Sequence, residues 1–349
     1  MSDIRVGLIG YGLAGSAFHA PLIATTPGMR LAFVVTSNPD RAAQARVENP
    51  CVEVVDSAER LWQRAGQMDV IVIASPNRTH VPLARAALRA GLAVVIDKPM
   101  AATAAEGREV ADEARERGLL LSVYQNRRWD GDFLTVWRLM AEGALGDVFR
   151  FESRFERWRP TPKSGWREDP DPAGAGGTLF DLGPHLVDQA LVLFGPVTHV
   201  YAEVSARRAG VRVDDDAFLA LTHASGVRSH LHVSATAAEH GTRMRVLGTR
   251  AAYVKRGLDV QEAALRAGQR PGPGWGEEPE ADWGLLGAGD EWKPVRTDRG
   301  NYGAFYACIA AALRDGAPPP VDPMDSVAGL EIIEAARRSS DEGTVIQLR

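Results

Sequence analysis

Three sets of residues in this chain have types and spacings that can do chemistry. The first is Gly10-Tyr11-Gly12-Leu13-Ala14-Gly15, a GxGxxG run directly after the apolar stretch Arg5-Val6-Gly7-Leu8-Ile9. At a strand-to-helix turn, Gly10 permits the tight turn, Gly12 lets the backbone approach a pyrophosphate, and Gly15 lets the helix pack on the strand. The N–H groups that open such a helix then face the anion. The second is Lys98, which follows Val94-Val95-Ile96-Asp97 and precedes Pro99. A lysine at the carboxyl end of a buried strand can polarise an alcohol or carbonyl oxygen. The third is Asp181 and His185, four residues apart and so on one face of a helix. A carboxylate that holds an imidazole in one tautomer makes that histidine a general acid or base. Plainer readings stand beside these: a glycine turn, a surface lysine, a helix cap at Asp181 with a satisfied histidine.

The end of the second strand bears on the dinucleotide. NAD sites place Asp or Glu there to accept from the ribose hydroxyls. Here Leu31-Ala32-Phe33-Val34-Val35 runs into Thr36-Ser37-Asn38-Pro39-Asp40-Arg41, with no acid at the tip. Thr36 and Ser37 are donors and Arg41 can pair with a 2′-phosphate, which favours NADP, with NAD as the alternative. Asp40 reads as a helix-starting residue. A further loop, Ser75-Pro76-Asn77-Arg78-Thr79-His80, follows the apolar run 70–74 and would pass the nicotinamide side of the cofactor.

These residues need elements to hold them. Residues 1–123 alternate strand patterns (4–9, 31–36, 52–55, 69–74, 93–97, 119–123) with helical ones such as 78–90 and 103–117. Continuous apolar runs such as Val70-Ile71-Val72-Ile73-Ala74 suit parallel strands buried on both faces. The expectation is a Rossmann-type, doubly wound parallel sheet whose chemistry gathers beyond the strand carboxyl ends. Residues 124–349 change texture: a helix at 130–141, strands at 147–158, 197–206, 215–223, 227–236 and 243–254, a helix near 178–193, helices at 301–314 and 324–338, and a last strand near 345–348. This reads as an α+β domain with a mostly antiparallel open sheet. Residues 267–294, rich in Gly, Pro and acid, read as a long excursion. Pro184 is comfortable in a helix only within its first turn, which would start the helix near Gly183 and leave Asp181 on its approach.

With 349 residues the chain has room for two domains. A net charge of −5 provides no basic footprint, so nucleic acid is not an expected partner. No stretch approaches the length of a membrane span, and Met1-Ser2-Asp3-Ile4-Arg5 enters strand at once without room for a signal peptide. Cys51 and Cys308, far apart and without CxxC spacing, read as buried free thiols of a cytoplasmic protein. His230 and His232 lack companions for a metal set, Asp214-Asp215-Asp216 reads as a charged turn, and Tyr302, Phe305 and Tyr306 read as core.

The glycine run, Ser75-Pro76-Asn77, Asp97-Lys98-Pro99 and the segment Gly177 through His185 together resemble the Gfo/Idh/MocA family of oxidoreductases, over nearly the whole chain. Phe18-His19-Ala20-Pro21-Leu22-Ile23, Gln125-Asn126-Arg127-Arg128-Trp129-Asp130, Trp166-Arg167-Glu168 and 255–262 draw the resemblance toward its NADP-dependent scyllo-inositol dehydrogenases. The resemblance implies hydride exchange between a nicotinamide and a secondary alcohol of a polyol or sugar. Lys98 would contact the reacting oxygen, His185 would move the hydroxyl proton, Asp181 would orient His185 and the substrate hydroxyls, and no metal would be needed. It extends cofactor contacts over Gly10 to Gly15, Thr36, Ser37, Arg41, Ser75, Pro76, Asn77, His80, Asp97 and Lys98. Asn126, Arg127 and Trp166 would join Lys98, Asp181 and His185 at the substrate, although Arg127, Trp129, Trp166 and Arg167 could equally pack a domain seam. The family's usual Glu-Lys-Pro is Asp97-Lys98-Pro99 here, and the resemblance implies a cis Lys98–Pro99 bond. A homodimer or homotetramer is expected, because open sheets of this kind pair. Other readings are an aldose 1-dehydrogenase or carbonyl reductase, or an NADP-binding sensor without chemistry. A sensor has no need for Lys98, Asp181 and His185 together.

Overall fold

Short aliphatic runs build the first sheet: β1 (Ile4–Ile9), β2 (Met29–Val35), β3 (Glu53–Val55), β4 (Val70–Ile73), β5 (Ala93–Asp97) and β6 (Leu121–Tyr124). The computed structural model describes residues 2–162 and 165–348; the side chain of Trp166, a pocket candidate, lies outside the described residues. The strands are all parallel, in the order β3-β2-β1-β4-β5-β6. Strand order reverses between β1 and β4, which makes their carboxyl ends the switch point at which such sheets bind ligands. Every residue of β4 is fully buried, as a parallel strand covered on both faces requires.

The connecting helices are α1 (Ala20–Thr25), α2 (Pro39–Glu48), α3 (Ala58–Trp62), α4 (His80–Arg89) and α5 (Ala104–Glu116). Asn38 caps α2 by accepting from the Arg41 N–H, and Thr103 caps α5 by accepting from the Glu106 N–H. The helix after the glycine run is not regular: Ala14–His19 is π-helical before α1 begins. Pro21 has no N–H for the carbonyl four residues back, and the Ala20 N–H reaches back five residues to Gly15 instead.

The second sheet comprises β7 (Val148–Glu156), β8 (Val197–Ser205), β9 (Asp216–His223), β10 (Arg228–Ser234), β11 (Met244–Gly248), β12 (Ala252–Lys255), β13 (Gly284–Ala288), β14 (Glu291–Val295) and β15 (Ile346–Gln347). Its order is β14-β13-β12-β11-β7-β10-β9-β8-β15, antiparallel except for the β7–β10 pair. α6 (Gly131–Ala141) precedes it, and α7 (Thr178–Phe194) packs on β7, β9 and β10. Buried and half-exposed residues alternate along β7 and β9, so one face of the sheet is core and the other is open to solvent.

Four details differ from the sequence expectation. The single strand expected at 243–254 is the hairpin β11–β12; Gly248 packs so close to the Leu145 carbonyl that a side chain there would collide with it, and the chain turns. The 267–294 excursion contains β13 and the start of β14. Pro294 is tolerated because β14 is the outermost strand and owes no N–H to a further neighbour. α7 starts at Thr178 and continues through Pro184 rather than starting near Gly183, so Asp181 sits on the helix itself. Both cysteines are free, but they are exposed rather than buried.

The remaining helices are α8 (Val260–Arg266), α9 (Gly303–Asp315) and α10 (Pro323–Glu342). The chain divides into two compact units: Met1–Asn126 with Gln261–Trp275 and Asn301–Val327, and Arg127–Val260 with Gly276–Gly300 and Ala328–Arg349. Two segments expected in the second domain thus group with the first. The reason is apolar: Tyr302, Phe305 and Tyr306 are fully buried there, and α9 packs on α1. Arg314 also donates to the Gly28 carbonyl (2.6 Å), and Ser122 to that of Val321 (2.9 Å). Among the described residues no helix is long and apolar enough to cross a membrane.

Candidate functional site

In the first unit the three glycines of the loop have separate tasks. Gly10 has φ 99°, and a Cβ there would stand 2.5 Å from the Ala74 carbonyl oxygen, so only glycine brings this loop against the end of β4. A side chain on Gly15 would collide with the Gly10 carbonyl. Gly12 instead faces open space, apart from the Arg41 guanidinium at 3.8 Å from where a Cβ would be. The result is a backbone cradle at a helix N-terminus with a cation beside it, which fits a dinucleotide phosphate. Leu13 is exposed and Ala14 half-exposed. Tyr11 turns inward: its hydroxyl donates to Glu48 (2.7 Å) and accepts from Asn49 (2.8 Å) at the end of α2, and burial followed by Glu48 pushes the phenol upward. Tyr11 can therefore offer a ligand only its backbone.

At the end of β2, Thr36 is half-exposed and Ser37 exposed, while Asp40 lies in the first turn of α2. The Ser75 hydroxyl pairs with that of Thr79 (2.6 Å), Pro76 is exposed and Asn77 is buried. His80 is buried, with Nε2 at 2.9 Å from the Ser75 carbonyl and Nδ1 at 2.8 Å from that of Pro99. Its ring ties the 75–80 loop to the turn that carries Lys98. Burial lowers its pKa against the pull of Asp97 and the two carbonyls. Asp97 and Lys98 are half-exposed, the Lys98 N–H donates to Asp97 Oδ1 (2.8 Å), and the Lys98–Pro99 bond is cis. Asn126, the last residue of the segment, is buried.

In the second unit the start of α7 is organised by acids that sequence reading took for a plain turn. Asp214 accepts from the Leu179 N–H (2.6 Å), and a side chain on Gly177 would collide with it. Burial pushes the Asp214 carboxyl up. Asp215, fully buried, accepts from the Arg207 and Arg208 N–H groups and from Arg208 Nε, and Arg208 reaches on to Glu168. No local signal marks this bracket, because Asp214 stands 35 residues from the helix it caps.

Asp181 and His185, both buried, project from α7. Arg167 Nε donates to Asp181 Oδ2 (2.8 Å). The His185 ring stacks on Phe155, with centroids 6.3 Å apart and planes at 26°. Arg127 is buried, its guanidinium 4.5 Å from the Phe155 ring centroid and 3.0 Å from Asp130, so its charge is engaged within the unit. Asp181 lines a cleft with Arg157, Arg159, Arg167, Arg208 and Asp214. His230 and His232 flank Phe218 on the sheet, and among the described residues no group of three or more His, Cys, Asp or Glu is placed to hold a metal.

Residues 4–125 match the model of the oxidoreductase family with an NAD-binding Rossmann fold, and residues 133–254 match the GFO/IDH/MocA C-terminal domain. The chain is 42% identical to the uncharacterised oxidoreductase YdgJ of Escherichia coli (strain K12), over 97% of each chain. It is 36% identical to the scyllo-inositol 2-dehydrogenase (NADP(+)) IolW of Bacillus subtilis (strain 168), over 100% of this chain and 97% of the other. The solved structure of the Bacillus subtilis oxidoreductase YvaA superimposes with a TM-score of 0.94 at 36% identity, covering 100% of this chain and 99% of that one. A glycine cradle at the head of a six-stranded parallel sheet, followed by an α7-backed open sheet, is thus matched in sequence and in three dimensions, and the chain belongs to the Gfo/Idh/MocA family of oxidoreductases.

Proposed function

We propose that the protein is an NADP-dependent dehydrogenase that reversibly oxidises a secondary hydroxyl of a cyclic polyol or sugar, with scyllo-inositol as the leading substrate. The observation that carries the reading is the Arg41 guanidinium over Gly12 at a strand end without a carboxylate. A cation there suits a 2′-phosphate, whereas an acid would suit the free ribose hydroxyls. The activity for which the Bacillus subtilis relative is named, scyllo-inositol 2-dehydrogenase (NADP(+)), agrees with it.

The nicotinamide, when bound, supplies the hydride acceptor or donor. This chain's residues do the rest. Gly10 to Gly15 hold the pyrophosphate, with Thr36, Ser37 and Arg41 at the ribose phosphate and the 75–77 loop at the other end. Lys98 steadies the negative charge that grows on the reacting oxygen. His185 takes the hydroxyl proton, its ring held flat against Phe155. Asp181 orients a substrate hydroxyl, in exchange with the Arg167 contact it makes here. The open face of the second sheet is where a second copy pairs, as a homodimer or within a homotetramer.

Initial rates of NADP+ and NAD+ reduction over a panel of inositols and aldoses test the reading. The expected result is turnover of scyllo-inositol with NADP+ preferred. Turnover of an aldose instead moves the substrate, and tight NADP+ binding with no turnover on any compound favours the sensor. Arg41→Ala should raise the NADP+ dissociation constant by about tenfold or more, the loss of one charge-assisted contact. NAD+ binding should hardly change, and equal losses for both would remove the 2′-phosphate assignment.

A further inference from the structure

His19 closes the π-helical turn after the glycine loop, and its side chain is fully buried. Nδ1 lies 2.5 Å from the Tyr306 hydroxyl, and the Tyr124 ring packs against the imidazole at 4.5 Å. Nε2 has no hydrogen-bond partner among the described residues; the group it faces is the Asp97 carboxylate, with Oδ2 at 3.8 Å. Tyr306 is itself fully buried, and burial, then Tyr124 and Asp97, hold its hydroxyl well above the usual tyrosine range. It therefore stays a phenol, and in the chain proposed below its proton is donated to Nδ1. With Nδ1 accepting, a ring hydrogen lies on Nε2, aimed at Asp97. At 3.8 Å this is not a hydrogen bond, but a buried N–H dipole acts on a carboxylate with little screening.

Asp97 is the residue before Lys98 and accepts that residue's N–H. The charged and titratable groups that act on it are His19, Lys98 and His80, with Tyr306 beyond. Burial alone would push the Asp97 carboxyl up; His19 first, then Lys98 and His80, outweigh it and hold the carboxyl below its usual range. His80 cannot substitute for His19, because both of its ring nitrogens lie against carbonyl oxygens.

We propose that the buried pair Tyr306 and His19, with the half-exposed Asp97, form a positioning chain behind Lys98, in which the tautomer fixed by Tyr306 keeps a negative Asp97 beside the lysine. This rests on the reading of Lys98 as the group that meets the reacting oxygen. His19 touches no reacting atom; it acts through Asp97. A carboxyl whose pKa is depressed stays ionised until the pH falls through that pKa, so removal of His19 must move the transition to higher pH.

The experiment has two arms. In the first, the cofactor-free full chain is labelled, and the tautomer of His19 is read from its nitrogen resonances and the Asp97 titration from its carboxyl carbon. Wild type should show hydrogen on Nε2, and His19→Leu should raise the Asp97 midpoint by about one pH unit. His19→Gln, whose amide can still face Asp97, should restore part of the shift. Tyr306→Phe adds nothing to the core and serves if His19→Leu fails to fold; it should release the tautomer and raise the midpoint in the same direction. Hydrogen on Nδ1 in wild type, or an unchanged Asp97 midpoint in a folded variant, overturns the chain. In the second arm the acid limb of the kcat/KM profile should rise with the Asp97 midpoint. Failure of the dehydrogenase reading appears separately, as a wild type without turnover, and leaves the first arm to decide.

Discussion

Replacing Lys98 by methionine, which keeps the stem and removes the charge, is expected to lower kcat by about 10²–10³-fold, the usual effect of deleting one charge-stabilising donor. NADP+ binding should be retained, because the proposed phosphate contacts lie at Gly10, Gly12 and Gly15, where the backbone is open to close approach at Gly12, rather than at the lysine. Stopped-flow or steady-state rates on the substrate found by the panel, with cofactor titrations alongside, separate the two effects. Lys98→Arg should recover little, since a planar fork on a longer stem does not place a point charge where the ammonium stood. Undiminished turnover in Lys98→Met would take the lysine out of the chemistry and leave His185 to be tested alone.

The second large effect concerns stability. Arg243 is buried in the second unit, 3.2 Å from Asp132 and 4.0 Å from Asp130, and donates to Ser153 (2.6 Å) and Gln189 (3.1 Å). Asp259 joins the cluster, its carboxylate accepting the Gly131 N–H (2.8 Å), and Arg127 pairs with Asp130. Arg243→Met should cost about 3–5 kcal/mol in urea unfolding, because it strands carboxylates without their cation. The cluster also sets a pH dependence. Burial first, then Asp259 and Asp132, push Asp130 up to about 8, against Arg127 and Arg243. Its pKa in the unfolded chain is about 4, so the folded state binds the proton more tightly. The contribution is fully present below about pH 4 and is lost as the pH rises toward 8. The Arg243→Met penalty should therefore shrink on acidification from pH 8.5 to pH 6, and a penalty independent of pH would show that the carboxyls are not what Arg243 offsets.

Where the chain wrote its fold locally, it could be read. The β1 strand, the turn at Gly10 and the cradle at Gly12 are consecutive, and apolar runs such as 70–74 signal buried parallel strands without further help. Lys98 follows β5 directly and Asp181 and His185 share α7, so their places in the fold, though not their roles, were also legible. What escaped the reading is held by distant partners. Asp214 caps a helix 35 residues away, Asp215 holds Arg208, which reaches Glu168 40 residues from itself, and a run of three acids in sequence looks the same whether solvated or buried. Pro184 was a fair objection to a long helix, yet α7 continues through it, with Gly183 packed so closely on Ile333 that an added Cβ would stand 3.1 Å from it. β13 and β14 were masked by Gly284 and Gly287 within β13, Gly289 in the turn between them, and Pro294, which is tolerated because β14 is the outermost strand. The aromatic spacing of α9 announced a core but not which one.

The assignment of α9 has a consequence in time. Tyr306, which sits against His19, is separated from it by 287 residues, and the segments 261–275 and 301–327 complete the unit that residues 1–126 begin. During synthesis the opening segment is finished roughly 10–40 s before residue 327 is made, at about 5–20 residues per second. Through that interval the side of the nascent sheet that α9 will cover has only water or a chaperone against it. A ribosome that stops short of α9 releases a strand–helix array with His19 and Tyr124 unroofed, and a cut after residue 126 makes an incomplete body rather than a minimal cofactor-binding module.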